Sequence, residues 1–325
     1  IVEKLKLQLG NRRGERRQAG VASIEAYELY SQGRHELNKR TLEGFNAALG
    51  LFEQCLAAAP EFAPAHTGLA DTYFLLFAYD LMSPRDAIAR GRVAAQEAID
   101  LNAELADTHA TLGGIHTFYD WAWQDAEQSF LKALELSPGH TTAHQWYGEL
   151  LTFLGRRREA EQHLQLAHQQ DPLSTVVLTM LGWHYLRFGA YASALPLLAQ
   201  AVELGSENDY THVLQAQALI ATGERDRGWE ALERADSISD GGSVMTITMK
   251  AHYAAAEDRP AVAQEMLARL QEKRSEEYVP QAYFATLYLA IGDEAKAIAC
   301  LKESIRRHDA ELIFMAVMPY YRPCL

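Results

Sequence analysis

The sequence predicts an all-α fold, a right-handed α–α superhelix of about eight antiparallel helix pairs followed by a C-terminal capping segment. Two observations predict this fold. Hydrophobic residues make up 48% of the 325 residues, and alanine and leucine dominate over β-branched runs, which favours helix. Small and large apolar residues also recur about every 34 residues, and a fixed period of this length is typical of stacked helical repeats.

In each of the last six predicted units, the second helix carries a small residue, followed four positions later by a large apolar residue. The small residues are Ala126, Ala160, Ala194, Gly228, Ala263 and Ala297, and the large ones are Phe130, Leu164, Leu198, Leu232, Leu267 and Leu301. The first helices carry small residues with the same period, at Gly113, Gly148, Gly182, Ala216, Ala251 and Ala285. This pattern predicts close approach of the two helices, with the large side chain filling the groove between neighbouring units.

Turn residues separate the predicted helices at matching positions. Proline cannot continue a helix, and Pro138 and Pro172 follow second helices. Glycine ends a helix in a left-handed conformation at no steric cost, and it recurs after the first helices at Gly155, Gly189, Gly223 and Gly292. The whole pattern is that of the tetratricopeptide repeat, with its best local matches at 112–138 and 147–172.

The repeat register divides the chain into three regions. Residues 1–20 are expected to form a lead-in helix or linker, and residues 309–325 a cap that folds over the last helix pair, because the ends of a solenoid need covering. The repeat array is expected over 21–308, with units near 24–60, 64–103, 106–138, 141–172, 175–206, 209–240, 244–275 and 278–308.

Four segments carry a family resemblance. Residues 25–56, 118–130 and 140–156, together with the tail "IFMAVMPYYRP", resemble the C-terminal tetratricopeptide region of bacterial multidomain regulators. In that family a winged-helix, cyclase or kinase domain precedes the repeats, often with a TolB-like domain between. The resemblance implies a protein-interaction scaffold, the partner-binding or sensory region of a larger regulatory protein, expected to be transcriptional. The alternative is an oligomerisation module of a cyclase or kinase signalling protein.

Charge and composition limit the class of partner. With 43 acidic and 30 basic residues the net charge is −13, which disfavours nucleic acid as a partner of this region. The only basic cluster, Arg12, Arg13, Arg16 and Arg17, is interpreted as a solvated helix or linker face, with a nucleic-acid arm as the alternative. Absence of an 18-residue apolar run predicts no membrane insertion. A protein or peptide partner is expected, and a homo-oligomer is possible.

Cysteine usage bears on the compartment. The three cysteines, Cys55, Cys300 and Cys324, are far apart and form neither a disulfide pattern nor a zinc motif. This favours a reducing, cytoplasmic location, with the periplasm as the alternative if a membrane span precedes residue 1.

The first helices are expected to line a concave groove that binds a peptide. The predicted lining is aromatic and amide-rich, with Asp71 and Glu149 as its negative charges, so a partner segment with apolar and basic residues is expected. The candidate groove residues are Asp71, Phe74, Phe118, Gln145, Glu149, Phe153, Trp183, Arg187 and Gln217. The alternative is that Phe118, Phe153 and Trp183 are partly buried between adjacent first helices.

A second candidate surface consists of Tyr119, Trp121 and Trp123, in the turn between the helices of one unit. Aromatic side chains are frequent at binding hot spots, so these residues could form an exposed docking patch. The alternative is a wedge that packs over the turn.

No motif for a catalytic nucleophile, a nucleotide-binding loop or a metalloprotease occurs, so we expect neither an enzyme nor a cofactor. Histidine recurs at the fourth position of four first helices, where it is expected to pack and form a hydrogen bond rather than bind metal. These residues are His66, His109, His144 and His212.

Overall fold

Eight helix pairs follow one another in a computed structural model that describes residues 24–206, 208–239 and 242–315. These residues contain helices and no strand, so the predicted all-α solenoid is confirmed. The first helices are α1 Ile24–Asn38, α3 Ala63–Ala78, α5 Ala106–Ile115, α7 Thr141–Phe153, α9 Thr175–Arg187, α11 Asp209–Ala221, α13 Val244–Ala256 and α15 Gln281–Ala290. The second helices are α2 Leu42–Ala58, α4 Pro84–Leu101, α6 Trp123–Leu136, α8 Arg157–Gln170, α10 Tyr191–Glu203, α12 Arg225–Ile238, α14 Pro260–Glu276 and α16 Glu294–Arg307.

The chain after the eighth pair contributes one short helix, α17 Leu312–Met315. Three sequence-based predictions lie outside the described residues: the lead-in helix at 1–20, the arginine cluster within it, and residues 316–325 of the predicted cap.

Close contact between a small and a large residue holds the two helices of a unit together. A Cβ atom added to Gly148 on α7 would stand 2.6 Å from Leu164 Cγ on α8 and 3.2 Å from the Ala160 carbonyl oxygen. The same relation places Gly182 against Leu198. Ala160 and Leu164 are fully buried, as the repeat pattern predicts.

Two adjacent glycines in α5 face two different aromatic rings. Gly113 lies against Phe130 of the same unit, and Gly114 lies against Phe74 of the preceding unit. An added Cβ would approach each ring to 2.6 Å. Close packing therefore accounts for both glycines.

The turns between helices contain the predicted left-handed residues. Gly155, Gly189, Gly223 and Gly292 have φ angles of 72°, 70°, 92° and 81°. Each lies five positions before the small residue of the following second helix, and Trp121 and Asp258 occupy the same place in their units. These two residues also adopt positive φ, 54° and 56°, although a side chain makes that conformation less favourable.

The third unit differs from its neighbours by one extra residue between its two small positions, Gly113 and Ala126. The structure accommodates it in a π-helical turn, His116–Asp120, at the end of α5. Such turns insert a single residue into a helix. This turn ends at Trp121.

Replacing Gly148 with alanine tests the small-on-large contact. We expect Gly148→Ala to destabilise the fold by about 1–3 kcal/mol, because the added methyl group overpacks the contact with Leu164. Gly50, inside α2, has open space where its Cβ would lie. Gly50→Ala should therefore stabilise by about 0.5–1 kcal/mol through helix propensity. Urea unfolding followed by circular dichroism measures both, and stabilisation by both substitutions would contradict the packing argument.

Candidate functional site

One aromatic ring from each of four successive units forms a continuous line along the groove, which we call the aromatic row: Phe74, Phe118, Phe153 and Trp183. Neighbouring ring centroids lie 6.0, 5.7 and 5.2 Å apart in that order. Phe74, Phe118 and Trp183 are buried and Phe153 is half-buried. The rings therefore pack between adjacent first helices, as the alternative interpretation anticipated.

The chain's own C-terminal segment covers the aromatic row. The ring of Phe314, in α17, lies 6.2 Å from Phe118, 5.0 Å from Phe153 and 5.7 Å from Trp183, measured between centroids. We call these three contacting residues the aromatic socket. The segment that follows the eighth unit thus reaches the third, fourth and fifth units across the groove.

Asp309 attaches the base of this segment to the last helix pair. Its carboxylate accepts hydrogen bonds from the Tyr278 hydroxyl at 2.5 Å, the Gln281 backbone N–H at 2.7 Å and the Ser304 hydroxyl at 2.6 Å. Leu312 belongs to the same apolar cluster as Leu289 and Leu301 of that pair. The described part of the predicted cap therefore contacts the last pair and also extends into the groove.

A carboxyl group of the second unit and one that follows the eighth unit meet at one tyrosine. The Tyr283 hydroxyl lies 2.9 Å from an oxygen of Asp80 and 3.2 Å from an oxygen of Glu311. Burial raises the pKa of Asp80 to about 7, and burial together with Asp80 raises the pKa of Glu311 well above its ordinary value. The second unit is thereby joined to the eighth.

The aromatic residues of the predicted docking patch are placed separately. Trp121 stacks on His308 at 4.7 Å, and Tyr119 lies 4.9 Å from the same imidazole and accepts a hydrogen bond from it through its carbonyl oxygen, at 3.0 Å. Trp123 is 36% exposed. Two of the three rings thus contact the end of the last pair, and binding of a partner at this patch stays a prediction.

The charged groups of the groove have partners within the chain. Asp71 accepts hydrogen bonds from Arg34 at 2.5 Å and from the Thr111 hydroxyl. Glu149 accepts one from Gln145 Nε2 at 2.9 Å, and burial raises its pKa to about 7. The prediction of a basic partner segment assumed that Asp71 has no positive partner within the chain. Asp71 is in fact paired with Arg34.

The two remaining groove residues are Arg187 on α9 and Gln217 on α11, and both are half-buried. Sequence reasoning did not select Arg34, Asp80, Tyr283 or Phe314 as groove residues. Arg34 directly follows Gly33, as Glu149 follows Gly148, so the repeat register could have indicated it. The other three stand at no groove position of the repeat.

Three of the recurring histidines form hydrogen bonds with the backbone of the preceding turn. Nε2 of His66, His109 and His144 donates to the carbonyl oxygen six residues earlier, at Pro60, Ala103 and Pro138, over 2.9, 2.9 and 3.0 Å. The predicted hydrogen-bonded packing role is confirmed for these three. Within the described ranges, no cluster of three or more His, Cys, Asp or Glu side chains is arranged to hold a metal ion.

Among the residues that the structure describes, no helix is both long enough and apolar enough to span a bilayer.

Comparisons with known proteins identify similar chains, although no protein-family model matches. The chain is 25% identical over 200 residues to the transcriptional regulator HilA of Salmonella typhimurium, a match that covers 61% of this chain and 34% of HilA. It therefore spans about a third of the length of that relative. The solved structure of PilW, a type IV pilus biogenesis factor, is similar with a TM-score of 0.52 and 16% identity over 66% of this chain and 94% of PilW.

Human IFIT1 in complex with m7Gppp-AAAA is also similar in structure, with a TM-score of 0.53 and 15% identity over 82% of this chain and 68% of IFIT1. Together with the helix pairs described above, these similarities define the class of protein as a tetratricopeptide-like α-solenoid. The relative HilA is a transcriptional regulator.

Replacing Glu149 tests whether its carboxyl group is buried in the groove. A pKa of about 7, above the ordinary 4.5, means that the folded protein holds a proton that the unfolded chain releases. Stability therefore falls as the pH rises from about 4.5 to 7. We expect Glu149→Gln to equal the wild type near pH 4 and to be more stable above pH 7, by up to about 3 kcal/mol.

Urea midpoints at a series of pH values measure this difference. Glu97→Gln, at an exposed position on α4, is the control for loss of one negative charge and should show no such pH dependence. A constant offset between Glu149→Gln and the wild type at every pH would rule out the buried acid.

Proposed function

We propose that this chain is the partner-binding region of a larger bacterial regulatory protein, and that its groove binds another protein. The observation that supports the proposal is the series of stacked first helices, whose aromatic row is covered by a short segment of the chain rather than by a whole helix pair. Solenoids of this kind form extended binding surfaces because each unit adds a helix to the same face.

The regulatory part of the proposal is supported by the similarity to HilA. That similarity covers 200 residues and concerns a protein whose remaining two thirds lie outside the match. A repeat region that binds a partner, joined to a domain that acts on DNA, would couple partner binding to transcription. We propose this arrangement for the present chain.

Protein is favoured over nucleic acid as the partner. The structurally similar IFIT1 was solved with a capped RNA. An RNA-binding surface requires an excess of positive charge, whereas this chain carries 43 acidic and 30 basic residues.

Groove substitutions test the proposal in the protein's own cells. We expect Phe153→Ala to reduce chemical cross-linking to the partner about tenfold or more, because it removes a half-buried ring from the centre of the groove. Leu166→Ala on α8 is the matched control, since it removes a similar apolar side chain that is 39% exposed on a second helix. Mass spectrometry identifies the cross-linked proteins, and an identical set for Phe153→Ala and wild type would contradict groove binding.

Transcript sequencing of the same strains tests the regulatory part separately. Phe153→Ala is expected to change the same transcripts as deletion of the gene, and Leu166→Ala to change none. Loss of cross-linking with unchanged transcripts would retain the binding role and reject the transcriptional one.

A further inference from the structure

The aromatic socket has the geometry of a receptor for one aromatic side chain. Phe153 and Trp183 meet the Phe314 ring nearly edge to face, at interplanar angles of 82° and 75°. Such arrangements are favourable because the positive edge of one ring faces the negative face of the other. Ile313, directly before Phe314, is 8% exposed and belongs to the central apolar cluster.

One polar group of the aromatic socket has no partner in the described part of the chain. The indole Nε1–H of Trp183 is buried, and it has no hydrogen-bond acceptor among the residues that the structure describes. An unsatisfied buried donor is costly, so a ligand that places a carbonyl or carboxylate oxygen there would bind better than Phe314 does. This unpartnered donor points to an occupant other than the one observed.

The segment is also held by a polar contact that depends on protonation. The Tyr283 hydroxyl lies within hydrogen-bond distance of both Asp80 and Glu311. Two buried carboxylates beside one hydroxyl would repel each other, so this contact is favoured when at least one of them is protonated. Asp309 keeps the base of the segment attached to the last pair, so release of residues 312–314 requires no unfolding of that pair.

We propose that the aromatic socket binds, in trans, a short segment of a partner protein in which an aliphatic residue directly precedes an aromatic one, and that Ile313 and Phe314 occupy the site until this segment displaces them. The proposal rests on the proposed function and specifies the partner's chemistry. A tethered segment competes with the free ligand, so the apparent affinity equals the intrinsic affinity multiplied by the fraction of molecules in which Phe314 has left the socket. Removing the tethered ring therefore exposes the site.

A fluorescein-labelled peptide with the sequence of residues 309–314, DAELIF, tests this in the complete 325-residue chain. We expect Phe314→Ala to bind the peptide at least tenfold more tightly than the wild type, measured by fluorescence anisotropy. Adding Phe153→Ala to that variant should remove the gain. Ile305→Ala, which truncates a side chain that is 53% exposed on α16, should bind as the wild type does.

The peptide DAELIA is the ligand control and should bind at least tenfold more weakly than DAELIF. Equal affinity of wild type and Phe314→Ala for DAELIF, or equal affinity of Phe314→Ala for the two peptides, would overturn the proposal. Circular dichroism confirms that each variant retains its helix content.

Hydrogen exchange on the wild type keeps the test decisive if Phe314→Ala fails to fold. Excess DAELIF should raise amide exchange at residues 308–314 of the chain and leave α9 protected. Unchanged amide exchange at a saturating peptide concentration would overturn the proposal. Light scattering gives a second test, because a dimer in which another copy of the chain fills the socket would also overturn it. Cross-linked partners that persist despite these outcomes would leave the proposed function standing.

Discussion

Close approach of the two helices in each unit is the constraint on which the rest of the structure depends. The contact involves more than one pair of helices, because a single large side chain serves two units. Phe52 on α2 lies against Gly33 of its own unit and against Gly68 of the next, with 2.6 Å to an added Cβ in both cases. The ring therefore joins the pair and also sets how the following first helix stacks. Repetition of this contact places the first helices side by side and creates the groove.

Features that repeat could be predicted from the sequence, since each occurrence supports the others. The small and large positions, the left-handed turn glycines and the histidines bonded to the preceding turn all belong to this group. The π-helical turn had a signal too, one extra residue between Gly113 and Ala126. Positive φ at Trp121 and Asp258 follows from their place in the repeat, although their residue types argue against it.

Contacts that close the groove could not be predicted, because they join residues that share no repeat register. Tyr283 and Asp80 are 203 residues apart, and His308 and Tyr119 are 189 apart. The groove residues were chosen by position in the first helix, and four of them form the aromatic row, whereas binding of a partner there stays a prediction. It could not show that Phe314 lies on those rings or that Arg34 pairs with Asp71, since both depend on how tightly the solenoid winds.

The way in which the solenoid pairs its groove charges, together with the net charge of the chain, determines which interactions would select the proposed partner. Inside the groove Asp71 is paired with Arg34 and the Glu149 carboxyl group is buried, so local recognition depends on apolar shape and on the free indole N–H of Trp183. The net charge of −13 attracts cations that lie outside direct contact, up to the screening length of about 8 Å at physiological salt. For a peptide anchored in the aromatic socket, basic residues would therefore favour binding from the flanks, where they remain in solvent. The anchor itself must be apolar. A cation placed among Phe118, Phe153 and Trp183 would lose its hydration, and none of these three residues has a carboxylate to pair with it.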